Sequence, residues 1–270
     1  MYKIGFIGAG NMGGALITAA CKTIGADQVL ITDHEKEKAL VLAAETGCKT
    51  AADNQEIAAN AEYIVLAVKP NVIRPVASSI ADTLKKSSAQ GMRHVVVTIA
   101  AGVEIRAIKD CIGEDIPVIR IMPNTPVQVG QGMILLTGDG EDDENIREFQ
   151  TIMKGAGDFL YIPESSFDIT TSISSCSPAY VYMFISAMAD GAVQVGVPRA
   201  QAIRLAAKTV LGSAQMVLET GCHPDQLKDN VCSPGGSTIV GVNALERSGF
   251  RYAAARAIIE STEKNLSLGK

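Results

Sequence analysis

The chain has 270 residues, of which 47% are apolar and 20% charged, and its 24 basic residues against 29 acidic ones leave a net charge of −5 and a pI of about 5.3. The basic residues are scattered, so no nucleic-acid footprint is expected, and no apolar run approaches the roughly 18 residues of a membrane span. The length suits two modest domains, each able to bury a core, with small molecules as the expected partners.

The six cysteines, Cys21, Cys48, Cys111, Cys176, Cys222 and Cys232, form no C-x-x-C pair, and His34, His94 and His223 complete no zinc spacing, so free thiols and no metal site are expected. Met1 runs straight into strand residues with no room for a charged n-region, so no signal peptide is expected. A reducing cytoplasm fits the cysteine usage.

In chain order, Tyr2 to Ile7 reads as a short buried strand. It runs without a spacer into Gly8-Ala9-Gly10-Asn11-Met12-Gly13-Gly14 and then the apolar helical stretch Ala15 to Ile24. Placed between strand and helix, the glycines of this G-x-G-x-x-G each have a use. Gly8 allows the tight turn, Gly10 lets a pyrophosphate approach the backbone, and Gly13 lets helix and strand pack closely. The amides at the helix start then favour the phosphates. The alternative is a glycine-rich turn that holds no ligand.

Gln28 to Thr32 is the second expected strand. Asp33 stands at its end, twenty residues after Gly13, where an acid meets the adenosine ribose, accepts from its 2′-hydroxyl and repels a 2′-phosphate. That leans towards NADH, although Lys36 and Lys38 stand close enough to aid a phosphate. Aspartate is also a good cap for the expected helix Glu35 to Glu45. A helix at Asn54 to Asn60, a strand at Glu62 to Val68 ended by Lys69-Pro70, a helix at Val72 to Lys86 and an apolar strand His94 to Gly102 continue the alternation. The small residues Ala100, Ala101 and Gly102 leave room for a flat ring. Helix Glu104 to Cys111, strand Pro117 to Met122 punctuated by Pro123-Asn124-Thr125-Pro126, strands Met133 to Thr137 and Asp158 to Ile162, and helix Glu141 to Lys154 complete a doubly wound α/β domain over residues 1–163.

From Ser177 onward only helical patterns remain: Pro178 to Val195, Pro198 to Glu219, His223 to Val231, Gly236 to Arg247 and Tyr252 to Leu266. Residues 164–270 are therefore expected to form an all-α second domain. Its first two helices are rich in apolar residues, among them Val181, Phe184, Met188, Ile203, Leu205 and Leu211. They form either a buried centre or a subunit interface, and the small size of the domain favours the interface. Cys232-Ser233-Pro234-Gly235-Gly236-Ser237-Thr238 then places a second glycine turn at a helix start. The amides of Gly236, Ser237 and Thr238 could hold a carboxylate or phosphate; ordinary capping by Ser233 or Ser237 is the alternative.

With Phe6 to Gly13, Ala67-Val68-Lys69-Pro70, Ala100 to Gly102, Met122 to Pro126, Ser177-Pro-Ala-Tyr180, Gln226 to Thr238 and Leu245-Glu246 in this order and spacing, the chain resembles the pyrroline-5-carboxylate reductase family. The resemblance implies reduction of L-1-pyrroline-5-carboxylate to L-proline with NADPH or NADH. It places the nucleotide on Ile7 to Met12 near Asp33 and Asn54, with Ala67, Val68, Lys69, Pro70 and Ala100 to Gly102 beside the pyrophosphate and nicotinamide. Asn230 and Glu164 would face cofactor or substrate, and Ser233, Gly236, Ser237 and Thr238 would hold the substrate carboxylate. A homodimer, or a larger assembly of dimers, is implied as well. Where the family has glycines this chain has Ser172 and Ser175, and Cys176 replaces a serine, so the local backbone is expected to differ.

Imine reduction calls for positioning more than for a nucleophile. Thr238 is the candidate for hydrogen-bonding the imine nitrogen; a hydroxyl is a poor acid, which leaves its role as proton donor open. A 3-hydroxyacid dehydrogenase-like enzyme would need a lysine on the first long interdomain helix, and Ser172 to Gln194 has none. A dinucleotide sensor would not require the second helix-end nest.

Overall fold

The computed structural model describes residues 1–141 and 143–268. Asp142, within the expected helix Glu141 to Lys154, and Gly269 and Lys270, at the end of the expected second domain, lie outside the described residues. The chain forms two compact units: Met1–Cys176 joined by the chain from Ser261 onward, and Ser177–Glu260. The expected division at 163/164 falls one helix before this point.

The first unit is a doubly wound α/β domain. Its strands are β1 (Tyr2–Ile7), β2 (Val29–Thr32), β3 (Lys49–Thr50), β4 (Ala61–Leu66), β5 (Val95–Thr98), β6 (Val118–Met122), β7 (Gly132–Thr137) and β8 (Gly157–Tyr161), ordered β3-β2-β1-β4-β5-β6-β7-β8. All neighbours are parallel except β6 and β7. Helices cover both faces, so central strands are apolar on both sides. In β4, Tyr63 and Val65 join one core with helices α1 (Asn11–Ile24), α2 (Lys36–Thr46) and α6 (Glu144–Ile152). Ile64 and Leu66 join another with α3 (Asn54–Asn60), α4 (Pro70–Ala89) and α5 (Ile105–Ile112).

Two expected strands end early. β4 stops at Leu66 rather than Val68, and β5 at Thr98 rather than Gly102, because the pair Leu66–Thr98 is the last rung of their ladder. The residues beyond it belong to the carboxyl edge of the sheet, the end at which doubly wound folds bind ligands. One helix escaped the sequence reading: α7 (Glu164–Thr171), although an acid after Pro163 and an apolar Phe167 three residues on make a helix start. It packs Phe167 under Met122 and Leu135.

The π-turn Ser172–Cys176 follows α7 directly. Ser172 is plainly helical, at φ −62° and ψ −37°, and no described non-glycine residue has a positive φ. Neither Ser172 nor Ser175 therefore stands in a conformation that only glycine enters cheaply, although the Ser175 hydroxyl is buried without a hydrogen-bond partner. Ser172 is buried, and its hydroxyl accepts from Asn265 Nδ2 at 3.0 Å. Asn124 supports the same turn: its Nδ2 donates to the Ser174 carbonyl and its Oδ1 accepts from the Met133 amide, both at 3.0 Å.

The second unit holds α8 (Ser177–Gln194), α9 (Arg199–Thr220), α10 (Pro224–Val231), α11 (Ser237–Arg247) and the first part of α12 (Phe250–Leu268). α8 packs on α9. Among the described residues of this unit only Ala189, Ala202 and Ala206 are buried, whereas Met183 is 71% and Leu218 81% exposed. Three alanines are no core for a helical domain. The alternative of a buried centre within the single chain is therefore not realised.

Candidate active site

β1 and β4 lie side by side where the strand order reverses, which makes a crevice at their carboxyl ends. The glycine loop is wedged there. Gly8 sits at φ +111°, and a Cβ on it would overlap the Ala67 carbonyl; the Gly8 amide donates to the Thr32 carbonyl at 2.8 Å and the Ala67 amide to Ile7 at 2.8 Å. A Cβ on Gly13 would strike the Gly8 carbonyl, whereas nothing lies within 4 Å of one on Gly10. Gly8 and Gly13 are thus fixed by packing, and Gly10 leaves bare backbone open to a ligand.

Gly10 is also the N-cap of α1, with no side-chain cap and no acid in the first turn. The amides of Asn11, Met12 and Gly13 lack intrahelical partners there, so the helix start favours an anion. Between this loop and α2 opens a crevice of about 370 Å³ lined by Ala9, Gly10 and Asn11 on one side and Glu37, Lys38 and Val41 on the other. The residues present fit a dinucleotide pyrophosphate.

Asp33 has a firmer role than the sequence showed. It is 7% exposed; its Oδ2 accepts from the Ala9 amide at 2.7 Å and its Oδ1 from the Glu35 amide at 2.8 Å. The carboxylate thus pins the glycine loop to the end of β2. It does not cap α2, whose N-cap is Glu35. Lys38 pairs with Glu35 at 2.6 Å, and Lys36 reaches the Ala52 carbonyl and Thr32, so neither lysine is uncommitted. Asn54 opens α3, which Asp53 caps through the Glu56 amide at 2.8 Å.

Lys69 and Pro70 form the start of α4, and half-buried Val68 packs on the core beneath. Ala100 is buried, Ala101 exposed, and Gly102 turns the chain at φ +69°. Glu164 lies on α7 in this unit, where its Oε1 accepts from the Ile105 amide at 2.8 Å.

The second unit carries the other glycine turn. Gly235 takes φ +69°, Gly236 is the N-cap of α11, and no side chain caps that helix. The Gly236 amide is spent on the Ser233 carbonyl at 3.0 Å, which corrects the expectation of three free donors; those of Ser237 and Thr238 remain. Ser233 does not cap α11; its Oγ would stand 2.5 Å from a Cβ on Gly236, so a larger residue there would have to displace that hydroxyl. Arg251, which the sequence reading passed over, ties the two helices flanking the turn together at their far ends, binding Asp225 at the start of α10 at 2.9 Å and Glu246 at the end of α11 at 2.6 Å. Those carboxylates hold the Arg251 guanidinium above its ordinary pKa. Asn230 is exposed on α10, its Oδ1 accepting from Gln226 at 3.0 Å.

Residues 3–102 match a family described as NADP oxidoreductase coenzyme F420-dependent, and residues 164–268 one described as pyrroline-5-carboxylate reductase dimerisation. The chain is 42% identical to the pyrroline-5-carboxylate reductase of Escherichia coli over 99% of its own length and 98% of that protein. It belongs to the pyrroline-5-carboxylate reductase family. Among solved structures, the Plasmodium falciparum pyrroline carboxylate reductase with NADP bound is 30% identical, with a TM-score of 0.85, 100% of this chain and 98% of that one covered. The Coxiella burnetii pyrroline-5-carboxylate reductase is 29% identical, with a TM-score of 0.88 and 100% and 99% covered. The chain is accordingly an NAD(P)-dependent oxidoreductase with a Rossmann-like α/β domain followed by a helical region.

Proposed function

We propose that the chain reduces the C=N bond of L-1-pyrroline-5-carboxylate with NADPH or NADH to give L-proline, the last step of proline synthesis. The observation that carries this reading is the recurrence of one device: two helix N-termini, those of α1 and α11, preceded by glycine turns and left without side-chain caps. One holds the cofactor phosphates and the other the substrate carboxylate. A dinucleotide sensor has no use for the second.

The nicotinamide, when bound, supplies the hydride to the imine carbon, and the ring nitrogen ends protonated. Residues of the chain position the reactants. Ile7 to Gly13 take the pyrophosphate, with Asp33 and Asn54 towards the adenosine; Ala67 to Pro70, Ala100 to Gly102 and Asn230 serve the rest of the cofactor. Ser237 and Thr238 offer amides to the carboxylate, with Ser233, Gly236 and Glu164 completing the substrate set. Fixing the carboxylate orients the imine, a proximity effect, and the Thr238 hydroxyl bonds the nitrogen.

In this reading residues 1–163 bind the dinucleotide, and residues 164–270 bind substrate and form the dimer. The exposed apolar faces of α8 and α9, with Val181, Ile203, Leu205 and Leu211 between 39% and 56% exposed, support a homodimer; a larger assembly of dimers and a cytoplasmic location belong to the same reading. No described helix is long and apolar enough to cross a membrane. The negative charge of Asp33 beside the loop leans the preference to NADH. Absorbance of NADH and NADPH during turnover with pyrroline-5-carboxylate tests the whole reading. Oxidation of either nucleotide is expected, faster with NADH, and no turnover with both would revive the sensor.

A further inference from the structure

Arg120, on β6, is the largest fully buried side chain among the described residues, at 0% exposure. A buried guanidinium is tolerable only when paired. Among the described residues its side-chain partners come from one face of α7: Asp168 Oδ1 at 2.5 Å from Nη2, Glu164 Oε1 at 3.5 Å from Nη1, and the Phe167 ring, whose centroid is 4.5 Å from the guanidinium carbon. The ring adds a cation–π contact to the two carboxylates. The Glu164 oxygen that faces Arg120 is the one that accepts from the Ile105 amide, at the first turn of α5. Ile105 stands three residues after Gly102, and Arg120 pairs in the sheet with Thr98, two residues before Ala100.

We propose that Arg120 is the positioning residue of the Ala100–Gly102 loop: its buried charge holds the Glu164 carboxylate on the Ile105 amide and so sets the loop that bears on the nicotinamide. This rests on the reading of the loop given above. Arg120 touches no substrate; it acts through Glu164.

Arg120→Lys keeps the charge and removes the fork. The variant is expected to fold and to bind nucleotide, by NAD(P)H fluorescence, within about twofold of wild type, while kcat falls by about tenfold as the loop is misplaced. Amide hydrogen exchange at Ile105 speeds up. Glu164→Gln preserves shape without charge and also speeds exchange at Ile105, and Arg120→Lys/Glu164→Gln speeds it no more than the larger of the two single effects, because both act on that amide. Asp168→Asn lowers Tm but leaves kcat within about twofold, which separates positioning from stability. Wild-type kcat with wild-type exchange at Ile105 in Arg120→Lys, or exchange effects that multiply in the double variant, overturn the proposal. Should Arg120→Lys not fold, unchanged exchange at Ile105 in Glu164→Gln overturns it instead. Exchange is read without turnover, so failure of the wild-type enzyme to use pyrroline-5-carboxylate would strike the proposed reaction and not this assignment.

Discussion

The two ends of one sheet follow opposite rules. At the amino end, charges are matched: Lys3 binds Glu62 at 2.7 Å and also Glu148, Arg93 bridges Glu62 at 2.8 Å and Glu148 at 2.7 Å, and the Tyr63 hydroxyl donates to Glu148 at 2.9 Å. Desolvation at its site would raise the Glu148 pKa, but Lys3, Tyr63 and Arg93 outweigh it and bring it down to about 2, while burial and Glu148 push the Tyr63 phenol up. At the carboxyl end, by contrast, helix donors of α1 are left without side-chain partners and Gly10 is bare. β4 serves both ends, with Glu62 and Tyr63 near its start and Ala67 to Pro70 just beyond its last residue. Satisfied polar groups stabilise; unsatisfied ones, held rigidly, are what a ligand can use.

The contrast can be broken or sharpened by four substitutions. Gly8→Ala should have the largest effect on activity, because the added methyl meets backbone at a φ of +111°; kcat/KM should fall by about 100-fold or more, with nucleotide binding followed by fluorescence. Thr238→Ala should lower kcat by about tenfold, the size of one lost hydrogen bond to a reacting group. Turnover and a pH profile identical to wild type would remove Thr238 from the chemistry.

Asp33→Asn should act more gently, since the amide oxygen can still accept from Ala9 or Glu35. Loss of the charge should move the ratio of kcat/KM values towards NADPH by about fivefold, measured in paired kinetics; an unchanged ratio would mean that Asp33 serves the loop alone. Glu148→Gln, at the other end, should leave kcat within about twofold and lower Tm by several degrees. The folded pKa of Glu148 lies below its ordinary value of 4.5, at about 2. Its contribution is therefore present above pH 4.5 and is lost as pH falls towards 2, so acid titration of Tm in wild type should be steeper over that window than in the variant.

Legibility differed in the same way. The glycine loop could be read because its constraint is local: strand, turn and helix are contiguous, and Gly8 and Gly13 make the tight turn and close packing that their spacing requires. The start of α11 was legible for the same reason, although the donation from Gly236 to Ser233 removed one of its expected donors. α7 was missed because it is short, and its weak pattern is secured by Arg120, 44 residues from Glu164 in sequence. The network of Lys3, Glu62, Arg93 and Glu148 leaves no local pattern at all.

By itself the sequence determined the alternation of strands and helices, the two glycine turns, the helical second half and the family. Periodicity and turn chemistry act within a few residues, and the family's motifs lie in order along the chain. Only the tertiary structure decided that Asp33 ties the loop through Ala9, that Arg120 is buried against α7, that Ser172 and Asn124 support the π-turn, and that the apolar helices of the second unit are not buried within one chain. Burial and ion pairing depend on which distant segments meet, and that is fixed by packing the whole fold, not by any stretch of it.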